Sequence, residues 1–191
     1  ETADGGRILV AYFTVPETDG VDAVAGASRV VTDGEVLGNT QYIAQLIARQ
    51  TGGDLFAIQT VQEYPGSHDA LLEFAYSERA GDVRPELAAA LENPSDYDVV
   101  FLGYPNWNAD LPMPLYTFLE QTDLSGKTII PFVTHGGSGF SRTVQTIREL
   151  QPDAAVVEDG LSLSRNSVPD AAAEVEAWVS GLGLDAGAPG V

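Results

Sequence analysis

Residues that could hold a phosphate group lie in two short stretches near the start of the sequence. Thr14 follows an apolar run, and the tripeptide Gly38, Asn39 and Thr40 opens a helical pattern. The start of a helix offers unpaired backbone N–H groups and the positive end of the helix dipole, so it can bind a phosphate without a lysine. The three polar side chains would add donors, and Gly38 would let the ligand approach the backbone closely. The alternative interpretation is that Asn39 or Thr40 simply caps the helix.

A second group of residues has the composition of a site for a flat ring. It is the start of the stretch YPNWNADLPMP and comprises Pro105, Asn106, Trp107 and Asn108. Prolines stiffen such a loop, the two asparagines offer amide donors and acceptors, and an indole face suits stacking on a ring. Trp107 could equally lie over a helix and shield the core.

A third group forms the glycine-rich stretch THGGSG, which follows another apolar run. Its members are Thr134, His135, Gly136, Gly137 and Ser138. A loop of this kind brings backbone N–H and C=O groups close to the edge of a ligand. His135 could donate a hydrogen bond to that edge or act as a general acid or base. The alternative is a glycine-rich turn with a surface histidine.

Five apolar runs supply the strands that must position these groups. They span residues 7–13, 54–61, 97–105, 127–137 and 153–163. Helical patterns alternate with them at 40–49, 71–91, 114–119, 141–150 and 169–182. This alternation predicts an α/β fold with a parallel sheet and helices on both faces. Ligands bind beyond the carboxyl ends of such strands, so the three polar groups are expected to meet there.

The segment 15–37 interrupts this rhythm. A connection from a strand to a helix usually needs only ~2 to 6 residues. Within the segment, β-branched residues on both sides of Asp33 and Gly34 predict a two-residue hairpin turn. We therefore expect an insert that forms an ordered flap and returns Gly38 to the side of Thr14.

Charge and composition exclude several classes of function. Of the 191 residues, 28 are Asp or Glu and 9 are Lys or Arg, which gives a net charge of −19. Nucleic acid and anionic membranes are repelled at long range, whereas basic partner proteins are favoured. The absence of cysteine excludes disulfides, thiolate metal sites and cysteine nucleophiles. A GxGxxG dinucleotide motif is absent, and so is a GxxxxGK[ST] phosphate loop, because Gly126-Lys127-Thr128 has Gln121 where that motif needs its first glycine.

The length predicts a single domain over residues 7–183, flanked by loose tails at 1–6 and 184–191. No apolar run is long enough to cross a bilayer, so the visible chain is not expected to insert into a membrane. The sequence begins at Glu1 without an initiator methionine. We therefore expect that an upstream segment either was removed or is not included in this sequence. The compartment stays open: cytoplasmic or, if a signal segment was removed, extracytoplasmic.

The combination of ILVAYFT, GNT, GYPNWN and THGGSG resembles the short-chain flavodoxin-like family over about residues 7–183. The resemblance implies a three-layer sandwich whose five parallel strands have the order 2-1-3-4-5, together with non-covalent FMN and electron transfer. It places the FMN phosphate on Thr14, Gly38, Asn39 and Thr40. The residues flanking the isoalloxazine ring would be Pro105, Asn106, Trp107 and Asn108. The ring edge and ribityl chain would lie along Thr134, His135, Gly136, Gly137 and Ser138.

Three departures from the family pattern bear on FMN affinity. The insert splits the phosphate loop, Leu37 stands where a hydroxyl residue is usual, and Asn108 replaces the second member of a WW or WG pair. Two other functions stay open. One is an NAD(P)H-dependent quinone or small-molecule reductase whose pocket is walled by the insert. The other is a flavodoxin-like scaffold that has lost its cofactor and binds proteins.

Overall fold

The computed structural model describes residues 7–16 and 29–184 and contains a parallel β-sheet between two layers of helices. The strands are β1 (Ile8–Tyr12), β2 (Arg29–Thr32), β3 (Glu35–Gly38), β4 (Asp54–Ala57), β5 (Val99–Pro105), β6 (Thr128–His135), β7 (Ala155–Val156) and β8 (Leu161–Ser164). The helices are α1 (Asn39–Thr51), α2 (His68–Ala80), α3 (Met113–Gln121), α4 (Thr143–Leu150) and α5 (Ala172–Gly181). Short 3₁₀ turns lie at Pro94–Asp96 and Val168–Asp170.

The strand order of the main sheet is β4-β1-β5-β6-β7, and β8 also pairs with β6. All of these pairs are parallel. Numbered by the five apolar runs of the sequence, the order is 2-1-3-4-5, so the predicted topology is confirmed. The three polar groups follow β1, β5 and β6, which are adjacent, and this adjacency brings them to one edge of the sheet.

The fifth predicted strand is broken into β7 and β8, and the break lies opposite a proline in the neighbouring strand. The N–H groups of Ala155 and Val157 donate to the carbonyls of Lys127 and Ile129. Every second residue along β6 therefore directs its backbone N–H and C=O groups toward β7. Pro131 is the next residue on that side and has no N–H to donate. The ladder therefore stops at Val157 and resumes only at β8.

Helix α2 is shorter than the sequence pattern indicates. The prediction extended to Leu91, but the helix ends at Ala80 and the chain turns at Gly81. Pro85 cannot donate a helical hydrogen bond, and Leu87 instead forms an isolated antiparallel bridge with Thr60. The other four helices are confirmed with ends shifted by a few residues; α5 begins at Ala172, after a 3₁₀ turn.

Two apolar layers cover the sheet, one on each face. On strand β1, Leu9 and Ala11 belong to the layer under α2, α3 and α4, whereas Ile8 and Val10 belong to the layer under α1 and α5. Strand β1 is thus buried on both faces, as its unbroken apolar sequence predicts. Among the residues that the structure describes, no helix is long and apolar enough to span a membrane.

The described part of the insert forms the predicted hairpin. Strands β2 and β3 are antiparallel, and the turn residues Asp33 and Gly34 have φ angles of 50° and 82°, as a two-residue hairpin requires. Leu37 is buried, whereas Val36 beside it is 51% exposed. Residues 17–28 of the insert, the predicted tail 1–6 and residues 185–191 of the other tail lie outside the described residues.

Candidate functional site

The first turn of α1 presents its backbone amides at the edge of the sheet. Gly38 is the N-cap, with extended backbone at φ −65° and ψ 149°, and its N–H donates to Gln41 Oε1 at 3.2 Å. A glycine cap has no side chain to accept hydrogen bonds from the first-turn amides. The helix cap is therefore neither Asn39 nor Thr40, which both lie inside the helix and are buried.

The two ends of the insert meet at Thr14 and Gly38. A β-carbon built on Gly38 would overlap the Thr14 hydroxyl, so this contact requires glycine. The hairpin thus returns the chain to the side of Thr14, as the sequence predicts.

A hydroxyl pair joins the start of α1 to the end of β6. Thr40 Oγ1 and Thr134 Oγ1 are 2.9 Å apart, and both residues are buried. Either oxygen can be the donor of this bond. Because one proton serves the pair, the second hydroxyl proton is available to another acceptor.

A cavity of about 280 Å³ lies beside this pair. Eight of the predicted site residues line it: Asn39, Pro105, Asn106, Trp107, Thr134, His135, Gly136 and Ser138. Its size is near the lower end of the roughly 300–1,000 Å³ typical of ligand sites. Five predicted residues do not line it: Thr14, Gly38, Thr40, Asn108 and Gly137. Thr14 lines a separate cavity with Phe13, Val15 and residues between 58 and 66.

Trp107 shields the core, as one of the two interpretations predicts, and it also lines the cavity. It is only 9% exposed and packs edge-on against Phe13, with the ring centres 5.3 Å apart, and at a tilt against Tyr64. The chain turns tightly after it through Asn108 and Ala109, whose φ angles are 54° and 62°. This turn carries Asn108 away from the cavity wall.

Asn106 has a buried acceptor atom in the wall of the cavity. Its amide Nδ2 donates to the carbonyl of Gly139 at 2.7 Å and to Ser141 Oγ at 2.9 Å. Its Oδ1 is buried and has no hydrogen-bond partner among residues 7–16 and 29–184. Burying an unsatisfied acceptor costs about 1–3 kcal/mol, so this atom is suited to a ligand N–H group.

His135 is arranged as a neutral hydrogen-bond donor. Its Nδ1 accepts the N–H of Gly137 at 2.9 Å, so the proton of the neutral ring lies on Nε2. Burial lowers the pKa of His135 below its ordinary value. The geometry favours a donating N–H group over a general acid at neutral pH.

Four residues that sequence reasoning did not single out also line the cavity: His68, Leu71, Leu72 and Arg165. Arg165 directly follows β8, so the same rule that selected residues after the other strands could have found it. The first three lie on α2, and nothing in their local sequence indicates that this helix reaches the cavity.

The sequence matches the family described as Flavodoxin over residues 28–182. The chain belongs to the flavodoxin family. Among solved structures, this flavodoxin is similar to a protein of Bacteroides eggerthii that is named provisionally as a flavoprotein. The two are 26% identical with a TM-score of 0.65, over 92% of this chain and 97% of the other.

Two other structures resemble this flavodoxin. A protein of Bacteroides uniformis, also named provisionally as a flavoprotein, is 26% identical with a TM-score of 0.61, over 87% of this chain and 97% of that one. A flavoprotein of Lactobacillus acidophilus, solved in complex with FMN, is 17% identical with a TM-score of 0.61, over 88% and 99% of the two chains. No curated protein matches the sequence significantly.

Proposed function

We propose that this flavodoxin binds FMN non-covalently and transfers electrons between other proteins. The observation that carries the proposal is the pairing of a glycine-capped helix start with the buried, unsatisfied Asn106 Oδ1. FMN has a doubly charged phosphate at one end and, in the ring at the other end, a single N–H group between two carbonyls. Helix amides suit the phosphate, and Asn106 Oδ1 suits the N–H group.

Each residue in this proposal has a definite task. The amides of Asn39 and Thr40 bind the phosphate, and the hydroxyl proton left over from the pair of Thr40 and Thr134 adds a donor. The Nε2–H group of His135 donates to a carbonyl at the ring edge, and Trp107 flanks the ring. The bound flavin would store the electrons, while the protein supplies position and electrostatics.

The charge of the protein bears on its potential and its partners. A net charge of −19 disfavours adding electrons to a bound group, so the surroundings as a whole lower the flavin potential. The same charge attracts basic redox proteins and speeds their encounter at low ionic strength. We therefore expect basic redox partner proteins and no interaction with nucleic acid.

A reductase that takes hydride from NAD(P)H is the second candidate. The observation in its favour is the apolar side of the cavity, where Leu71 and Leu72 of α2 lie near Trp107 and could face a flat substrate. Stopped-flow mixing of the FMN-loaded protein with NADH or NADPH separates the two functions. Reduction within milliseconds to seconds would support the reductase, and slow reduction would support the carrier.

The basic test is titration of the purified protein with FMN and with riboflavin, which lacks the phosphate. We expect the protein to quench flavin fluorescence and to bind FMN more tightly than riboflavin. A protein that is colourless as purified and leaves FMN fluorescence unquenched would contradict the proposal and favour the scaffold. Equal affinity for both flavins would contradict the phosphate site at α1.

A further inference from the structure

The wall of the cavity differs in charge from the rest of the molecule. The chain has 28 acidic residues, yet the described residues that line the cavity include no carboxylate. They include one arginine, Arg165. A cation in a cavity without carboxylates, within so acidic a protein, indicates a ligand that carries negative charge near that position.

Arg165 differs from the arginines that form ion pairs; Arg49 and Arg142 also lack a pair with a described carboxylate, but neither of them lines the cavity. Arg7, Arg84 and Arg148 each form an ion pair with an aspartate or glutamate, at distances of 3.2, 2.9 and 2.7 Å to the nearest oxygen of Asp54, Glu120 and Glu158. For Arg165 the structure shows no such pair within residues 7–16 and 29–184. Its charge is therefore not neutralised by any described carboxylate.

The backbone holds Arg165 beside the loop that follows β6. Its N–H donates to the carbonyl of His135 at 2.7 Å, which continues the pairing of β8 with β6. Its guanidinium packs on Gly136, where a β-carbon would lie 3.8 Å from Nε. The side chain is thus adjacent to the residues proposed to contact the ring edge.

The position of Arg165 relative to the two ends of FMN follows from Asn106. The phosphate belongs at the start of α1, whereas Asn106, with its unsatisfied acceptor, is bonded to Gly139 and Ser141 of the loop after β6. The flavin N–H group that would satisfy this acceptor is part of the pyrimidine ring. Arg165 packs on Gly136 of the same loop, so it lies on the pyrimidine side of the site.

We infer that the Arg165 guanidinium contacts the pyrimidine end of the bound flavin and stabilises its reduced form. This inference rests on the proposed FMN function. If a redox partner supplied two electrons and one proton were taken up at N5, the bound flavin would carry one negative charge on N1 and the neighbouring carbonyl of the pyrimidine ring. A charge-assisted hydrogen bond from arginine would favour this charge. The electrostatic effect of surface carboxylates on the flavin is weakened by salt, with a Debye length of about 8–10 Å. Arg165 therefore opposes the general effect of the net charge at the place where electrons are added.

The test compares the affinity of the full-length protein for oxidised and for reduced FMN under anaerobic conditions. The variants are Arg165→Gln, Arg165→Lys and, as a matched control, Arg49→Gln. Arg49 is exposed in the last turn of α1, at the end of the helix away from the candidate site, and its removal changes the net charge equally.

Arg165→Gln is expected to lower the preference for reduced over oxidised FMN about tenfold, which corresponds to a two-electron potential about 30 mV more negative. Arg165→Lys should keep most of the preference, and Arg49→Gln should change it less than about twofold. The effect of Arg165→Gln should persist with riboflavin, because riboflavin has the same ring without the phosphate. Thermal unfolding of each variant shows that it is folded.

Three results would overturn the inference. In the first, Arg165→Gln weakens the binding of oxidised and reduced FMN equally, or it changes the binding of FMN but not that of riboflavin. Either outcome would make Arg165 a contact of the phosphate or of the loop. In the second, Arg49→Gln shifts the preference as much as Arg165→Gln does, which would show an effect of net charge alone. In the third, the wild-type protein binds FMN and neither Arg165 variant changes the preference; failure of the wild type to bind FMN would instead refute the proposed function.

Discussion

The buried hydroxyl pair of Thr40 and Thr134 allows stability to be separated from cofactor binding. Thr40→Val keeps the shape of the side chain but removes the hydroxyl, so Thr134 Oγ1 loses its 2.9 Å partner. Thr134 is only 5% exposed, so water from the cavity that it lines replaces that bond at most in part. The expected cost is about 1–3 kcal/mol of the free energy of unfolding. At about 2–4 °C per kcal/mol for a chain of this length, the midpoint of thermal unfolding falls by roughly 2–12 °C.

The double variant Thr40→Val with Thr134→Val is expected to recover most of this loss. Replacing both partners of a hydrogen bond with apolar groups of the same shape leaves no unsatisfied atom, and the change is then nearly neutral. Unfolding by urea of the cofactor-free protein measures both variants against the wild type. The reasoning is refuted if the single and double variants are equally destabilised, since the cost would then not come from an unsatisfied hydroxyl.

The same double variant tests the phosphate site. It keeps the fold but has no hydroxyl to donate, and a hydrogen bond to a charged group contributes about 1.5–3 kcal/mol. FMN affinity should therefore fall roughly tenfold to a hundredfold, whereas riboflavin affinity should stay near that of the wild type. Fluorescence titration measures both. If the double variant binds FMN as tightly as the wild type, the threonine pair does not contact the phosphate.

Two further predictions concern the hairpin and the histidine. Leu37→Ala should reduce the free energy of unfolding by about 2 kcal/mol because Leu37 is buried, whereas Val36→Ala in the same strand should change it by less than about 0.5 kcal/mol. Equal effects in urea unfolding would mean that the hairpin does not pack on the domain. Burial lowers the pKa of His135, so the unfolded chain takes up a proton at a higher pH than the folded chain. Stability should be greatest above the unfolded pKa of about 6.5 and fall as the pH decreases below it. His135→Asn should show a smaller fall between pH 7 and 5, and an unchanged pH profile would contradict this assignment.

Local sequence was sufficient to predict most of the elements and eight of the residues that line the cavity. The apolar runs of β1, β5 and β6 are unbroken because these strands are buried on both faces, and this pattern does not depend on which strands are neighbours. The turn at Asp33 and Gly34 was also predictable from local sequence, because few residue types adopt the positive φ angles that a two-residue hairpin turn requires. Polar residues directly after β1, β5 and β6 were identified by their place in the chain, and most of them line the cavity.

Tertiary structure decided the features that depend on contacts between distant residues. The break between β7 and β8 lies opposite Pro131 of β6, which the sequence of the fifth strand does not reveal. The burial of Trp107 depends on Phe13 and Tyr64 lying beside it. Arg165 reaches the cavity because β8 pairs with the end of β6. Composition gave only the net charge of the whole chain. The absence of carboxylates among the described residues of the cavity wall is a property of packing, because it depends on which few residues the fold brings to that wall.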